Sequence, residues 1–167
     1  MINRIEDFVT DWKAVSATTL RHLGALTDAS LAQPVVDGHR TLGRIAWHLV
    51  QTIPEMAART GLRPDGPAED APVPDRAHPI VDAYRRAAES LLEQVREHWT
   101  DETLQAEDDL YGQKWKRGAT LAALLRHEIH HRGQMTVLMR QAGLRVPATF
   151  GPTKEDWTAY GKEPPAI

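Results

Sequence analysis

The nine residues from His127 to Met135, HEIHHRGQM, place three histidines and a glutamate within five positions. At about 100° per residue, His127 and His131 stand one turn apart on the same side of a helix, beside Leu124 and Leu138. Two imidazoles so spaced can grip one divalent ion while the backbone stays undistorted. His130 points well away from that side and reads as a surface residue or an outer support. Two ligands hold a divalent ion poorly, so the pair needs a third. His48, in the stretch TLGRIAWHLVQ, is the strongest candidate, because it lies beside Ile45 at the edge of a second apolar stripe. His22, His39, His78 and His98 fall on polar faces or in loops and are read as non-ligands.

The same nonapeptide also spells H-E-x-x-H, in which Glu128 would be the general base of a zinc peptidase and Glu155 a downstream third ligand. Three features oppose that reading. Arg132, Gly133 and Gln134 follow the motif where a deeply apolar helix is expected. Thr136, Val137 and Leu138 occupy the place where an extended zinc-peptidase signature needs its last histidine. No strand alternation is present to line an extended peptide. Glu128 also stands four residues before Arg132, so an intrahelical ion pair accounts for it. Gln134, three residues beyond His131, is placed to support that ligand or to touch a substrate.

Cysteine is absent, so any ion must be held by nitrogen and oxygen. Imidazole suits zinc, nickel, copper and iron alike; nickel and zinc are the leading expectations. The catalytic residues, as distinct from the ligands, are not named by the sequence.

Four helical segments position these side chains. The first runs from about Asn3 to Leu26, with Ile5, Phe8, Val9, Trp12, Val15, Thr19, Leu23 and Leu26 at three- and four-residue steps. The second runs from about Thr41, a candidate N-cap, to Thr60, and Pro54 is expected to bend or disturb it. A proline-rich acidic connection, GLRPDGPAEDAPVPDRAHP, follows and looks too poor in apolar residues to pack a core. The third helix spans about Pro79 to Trp99. A mixed connector leads to the fourth, about Thr120 to Ala142, which stops at Gly143. Thr153 and Asp156, at cap and N3 spacing, predict a short last helix. Four amphipathic helices with two long connections predict an all-α fold, a four-helix bundle with at least one crossover, forming one domain over 1–167.

With 167 residues, 41% of them hydrophobic and 26% charged, the chain has an ordinary soluble balance. A formal net charge of -3 argues against nucleic acid as a partner. No apolar run approaches the roughly 20 residues of a membrane helix. The stretch MINRIEDFVTDWKAV is acidic and amphipathic rather than leader-like, so the cytoplasm is the expected compartment.

On the stretches RTLGRIAWHLV, HEIHHRGQM and GLRVPATFGPT, and on the order of its helices, the chain resembles the DinB/YfiT-like family of small helical metalloproteins. In that family a histidine from the second helix joins an H-x-x-x-H pair, often continued as H-R-x-Q, on the last bundle helix. The matching positions here are His48, His127, His131, Arg132 and Gln134. The resemblance implies helices running up-down-down-up, frequently a homodimer, and a three-histidine site with open coordination positions. It also implies a metal-dependent enzyme acting on small molecules, since characterised relatives include transferases and isomerases that use thiols such as bacillithiol or mycothiol. Arg132 could supply a basic contact for a carboxylate of that thiol, although the sequence does not settle which arginine does so. The same site would serve hydrolysis by activated water, or hold an ion without catalysis.

Overall fold

The computed structural model describes residues 1–166. Helices α1 (Ile5–Leu23), α2 (Leu42–Ala58), α3 (Ala77–His98) and α4 (Arg117–Gln141) surround one core, and a small antiparallel hairpin, β1 (Glu107–Leu110) and β2 (Gln113–Lys116), precedes α4. Both α1 and α2 pack against α3 and α4, which puts α1 and α2 on one diagonal.

Cross-helix hydrogen bonds give the directions. Ile2 N donates to Gly118 O at the start of α4, and Arg132 reaches Val15 O further along, so α1 and α4 run parallel. The start of α1 meets the far end of α3, where Ile5 N donates to Asp101 Oδ1, so these two are antiparallel. His48 faces His127, while Glu55 on α2 meets Tyr111 of the hairpin before α4, which makes α2 antiparallel to α4. The order is therefore up-down-down-up. Parallel neighbours α2 and α3 need a return segment of the bundle's own length, and residues 59–76 supply it.

That return segment packs more closely than its composition suggested. Leu62 is buried in the core. Gln51 donates from Nε2 to the carbonyls of Ala68, Glu69 and Ala71, and Trp47 Nε1 donates to Ala71 O. Side chains of the helix thus satisfy backbone acceptors that an irregular segment leaves unpaired. The helix α2 continues through Pro54, whose ring lies under Gly66: a Cβ there would stand 2.7 Å from Pro54 Cγ. The connection packs directly on its ring.

Helix ends follow local chemistry. Thr41 Oγ1 accepts from Arg44 N at 3.2 Å, as its position as N-cap predicts. The starts of α1 and α3 carry no cap of their own; carboxylates from elsewhere serve, Asp101 for Ile5 N and Asp28 for Ala77 N. Gly143, at φ 76°, closes α4, with Leu144 N donating to Met139 O and Gly143 N to Arg140 O. Thr153 and Asp156 form the expected capping box, but on a 3₁₀ helix, Lys154–Tyr160.

The hairpin is the element absent from the sequence reading. Its strands are only four residues long and charged, so no apolar alternation marks them. Opposed charges pair across it, Glu107 with Lys116 and Asp109 with Lys114, and Arg117 grips Asp108 at 2.9 and 3.2 Å. Tyr111 and Gly112 make a two-residue turn with φ of 54° and 80°, the mirror-image geometry short hairpins favour.

Candidate metal centre

His48, on α2, and His127 and His131, on α4, converge from two antiparallel helices. One ligand nitrogen from each lies within 4.8 Å of the others. His48 Nε2 and His127 Nε2 are 3.1 Å apart, and the three ring centroids are separated by 4.3 to 4.9 Å. Nitrogens about 2.1 Å from one tetrahedral ion would stand roughly 3.4 Å from each other, so the spacing fits a shared cation. No fourth histidine or carboxylate joins the group among the described residues.

Protonation supports the same fit. Burial, with a neighbouring imidazole adding to it, pushes His48 down to about 4 and His127 down to about 3. Burial also lowers His131. All three rings are then neutral near pH 7, the form that ligates. Gln134 Oε1 lies 2.6 Å from His131 Nδ1. An amide oxygen can only accept, so Nδ1 carries the proton and Nε2 presents its lone pair to the cluster.

His130 lies outside the group. Its ring is exposed, although its centroid is 4.9 Å from that of His131. His39, His78 and His98 are exposed, as expected. His22 is not: it is fully buried on α1, with Nδ1 2.8 Å from Thr18 O and Nε2 3.3 Å from Thr149 Oγ1, and burial lowers its pKa. It is a hydrogen-bonded core histidine.

Glu128 and Arg132 depart furthest from expectation. Both are buried, at 0% and 1% exposure, and no direct surface ion pair joins them. Thr19 bridges them instead, donating to Glu128 Oε2 at 2.9 Å and accepting from Arg132 Nη1 at 3.1 Å. Tyr84 donates to the same Glu128 oxygen at 2.9 Å, and Arg132 Nη1 also donates to Val15 O. Glu128 faces α1 and α3, away from α2, so it is not poised as a peptidase base. Glu155, the ligand that reading required, pairs through both oxygens with Arg140. Arg132 is buried, with Nη1 donating to α1 and Nε left without a partner, so its guanidinium does not reach either cleft as a carboxylate contact. The signal was present. Leu121, Leu125, Glu128, Arg132, Met135 and Met139 form the core stripe of α4, about 100° round from the histidines, with two charges at apolar positions.

Two clefts open on either side of the rings. One, of about 320 Å³, is polar and lined by Arg40, Arg44, His48, Gln51, Glu55 and Tyr111, with Thr52 and Glu69. The other, of about 500 Å³, is mostly apolar and includes Val35, Ile45, Val137 and Leu138 beside His131 and Gln134. Arg40 borders both. Arg44 was legible, one turn before His48 on the same face; Tyr111 was not, because only the hairpin brings it here.

The comparisons with known proteins agree with this fold. The chain is 44% identical over 167 residues, the full length of both, to the uncharacterized protein YrdA of Bacillus subtilis (strain 168). A crystal structure of a DinB-like protein from Bacillus cereus ATCC 10987 superposes with a TM-score of 0.87 at 43% identity, covering 90% of this chain and 100% of that one. The DinB-like protein YjoA of Bacillus subtilis shares the fold at 19% identity, with a TM-score of 0.68 over 86% of this chain and 96% of that one. The DinB family model matches residues 1–165, the span that carries all four helices and all three converging histidines, and the chain belongs to that family.

Proposed function

We propose that this protein is a metal-dependent enzyme that transfers a small thiol to an electrophilic small molecule. One observation carries the proposal: three neutral imidazoles, with no fourth protein ligand among the described residues, border a polar cleft through His48 and a mostly apolar one through His131. His48, His127 and His131 would hold the ion, nickel or zinc, and Gln134 would fix the ring of His131. When bound, a divalent ion there supplies a Lewis acid that lowers the pKa of an acid reaching it, thiol or water.

The chain's own residues account for the rest. With no cysteine available, the nucleophilic sulfur must arrive with a cosubstrate. The apolar walls Val35, Ile45, Val137 and Leu138 suit an uncharged electrophile and limit water beside it. In the transfer the thiol gives up its proton, sulfur forms the new C–S bond, and the displaced group leaves with its bonding pair. Two unlike clefts around one centre favour two substrates over water alone.

The test is product analysis. Untagged, metal-loaded protein is incubated with 1-chloro-2,4-dinitrobenzene and bacillithiol, mycothiol or cysteine. A thioether formed faster than without protein, and lost in His48→Ala, supports transfer. Hydrolysis in the absence of thiol supports activated water instead. A protein that takes up no metal, or forms neither product, ends the reading.

A further inference from the structure

The polar cleft carries two guanidinium groups that the fold leaves largely unspent. Arg40 makes no hydrogen bond or ion pair among the described residues. Arg44 uses one donor, from Nη1 to Gln51 Oε1 at 2.8 Å. Each guanidinium has five donors in a rigid fork matched to oxyanions. Arg44 stands one turn before His48 on α2, and both arginines line the cleft that His48 borders. Arg40 lies near enough to depress all three imidazoles by its charge, as Arg44 depresses His48.

Arg4, Arg86 and Arg126 are also unpaired among the described residues but border neither cleft, and four other arginines are occupied. Arg59 pairs with Glu55 at 2.7 Å, Arg117 with Asp108 at 2.9 Å, Arg145 with Asp156 at 3.0 Å, and Arg140 with Glu155. The far wall is also built. Tyr111 holds a left-handed backbone at φ 54°, a conformation unusual outside glycine, while its hydroxyl donates to Glu55 Oε2 at 2.8 Å and its ring lies 4.3 Å from the Arg59 guanidinium. The hairpin tip is thereby anchored on α2 across the cleft.

We infer that Arg40 and Arg44 bind a carboxylate of the small molecule whose reactive end meets the three histidines. The inference rests on the reading of those histidines as the reactive centre and adds the charge class of the substrate. It moves the expected basic contact from Arg132 to two residues that line the cleft. Carboxylate is favoured over phosphate because Glu55 and Glu69 also border the cleft. Their charges oppose a dianion more than a monoanion, and only Glu55 is neutralised by Arg59. The apolar cleft is left for the uncharged reactant.

The experiment separates the arginines from the metal. In the first arm, propionate, propionamide and inorganic phosphate are titrated by calorimetry into full-length His48→Ala, with and without Arg40→Gln/Arg44→Gln. Propionate should bind, propionamide should not, and the double change should weaken propionate at least about tenfold, as loss of charge-assisted hydrogen bonds implies. In the second arm, zinc-loaded wild type should bind 3-mercaptopropionate at least about tenfold tighter than 2-mercaptoethanol, and Arg40→Gln/Arg44→Gln should erase the preference with zinc content unchanged. Propionate binding that is absent, or indifferent to the double change, overturns the site. Inorganic phosphate binding more tightly than propionate overturns the carboxylate assignment. Failure of wild type to take up zinc counts against the metal reading alone, because the first arm needs no metal.

Discussion

Adjacent residues of α4 build two opposite environments. His127 and His131 are half-buried and face His48 on α2, with a ligand nitrogen of each within 4.8 Å of the others. Glu128 and Arg132, one position later in each case, face α1 and α3 in the fully buried core, where Thr19 and Tyr84 satisfy part of their polarity. One helix therefore carries a site that needs a visitor and a network that is closed to visitors. Residue type does not distinguish them, since all four side chains are ionisable. What differs is the neighbour each helix face meets. The lesson is that a chemical motif is read by the helix faces it spans, not by its letters alone.

The comparison breaks first at the histidines. Replacing His48 by Ala removes one of three ligands, so metal affinity should fall by more than about 100-fold, the upper end of the cost of losing an outer support. Unfolding of the metal-free protein should change little, because His48 is only half-buried and lies outside the core stripe. Elemental analysis after dialysis, beside thermal melts, checks both. Unchanged metal content would remove His48 from the site.

The closed network breaks in the opposite sense. Arg132→Ala removes the donors to Val15 O and Thr19 Oγ1 and opens a cavity in the core, while Glu128 keeps its proton more firmly; it should cost about 2–4 kcal/mol of stability. A Glu128→Gln/Arg132→Met double change should recover part of that, since methionine refills the space and no ionisable group remains inside. Metal stoichiometry of whatever stays folded should hold. Urea titrations read the first effect and metal analysis the second. An Arg132→Ala protein of full stability that bound no metal would show the two faces to be one unit.

Much of this was legible in the sequence, and the exceptions share a cause. The four helices, the Thr41 cap, the stop at Gly143 and the approach of His48 to the H-x-x-x-H pair all follow from three- and four-residue periodicity or from local cap chemistry. Glu128 and Arg132 were misplaced because i, i+4 opposite charges suggest a surface pair. Their place on the stripe of Leu121, Leu125, Met135 and Met139 was the better guide. The hairpin was missed because its short strands show no apolar alternation; the Arg117–Asp108 pair and one buried residue, Leu110, tie it to the bundle. The caps by Asp28 and Asp101 are long-range contacts with no local signature. Local rules recover elements, and long-range partners decide which polar residues go inside.

Acid sharpens the contrast, because the two regions titrate with opposite sign. Burial raises Glu128 from 4.5 to about 7. The native carboxyl then holds a proton that the unfolded chain has released, so its contribution is largest below pH 4.5 and is lost as pH rises to 7. The histidines, at about 4 and about 3 for His48 and His127 in place of 6.5, act the other way. The unfolded chain takes up protons first, and stability falls as pH drops below 6.5. In metal-free protein, Glu128→Gln should remove only the first slope. Relative to wild type, its stability should gain on the order of 3 kcal/mol between pH 4.5 and 7.5. Denaturant titrations at several pH values measure the difference, and parallel profiles would show that Glu128 is ionised in the native core throughout.

The smallest effect tests how the open site is tuned. Gln134 is exposed, so Gln134→Leu should leave stability within about 0.5 kcal/mol. It removes the acceptor 2.6 Å from His131 Nδ1, and with it the contact that keeps the proton there. The ring then loses its fixed tautomer and part of its basicity, and metal affinity should drop about 10–100-fold. Gln134→Glu should keep or raise affinity, because a carboxylate accepts the same hydrogen bond more strongly. Competition with a chelator of known affinity ranks the three proteins. The order glutamate, glutamine, leucine, at equal melting temperature, ties Gln134 to the ligand rather than to the fold, whereas equal affinities would leave the 2.6 Å contact without a role at the metal.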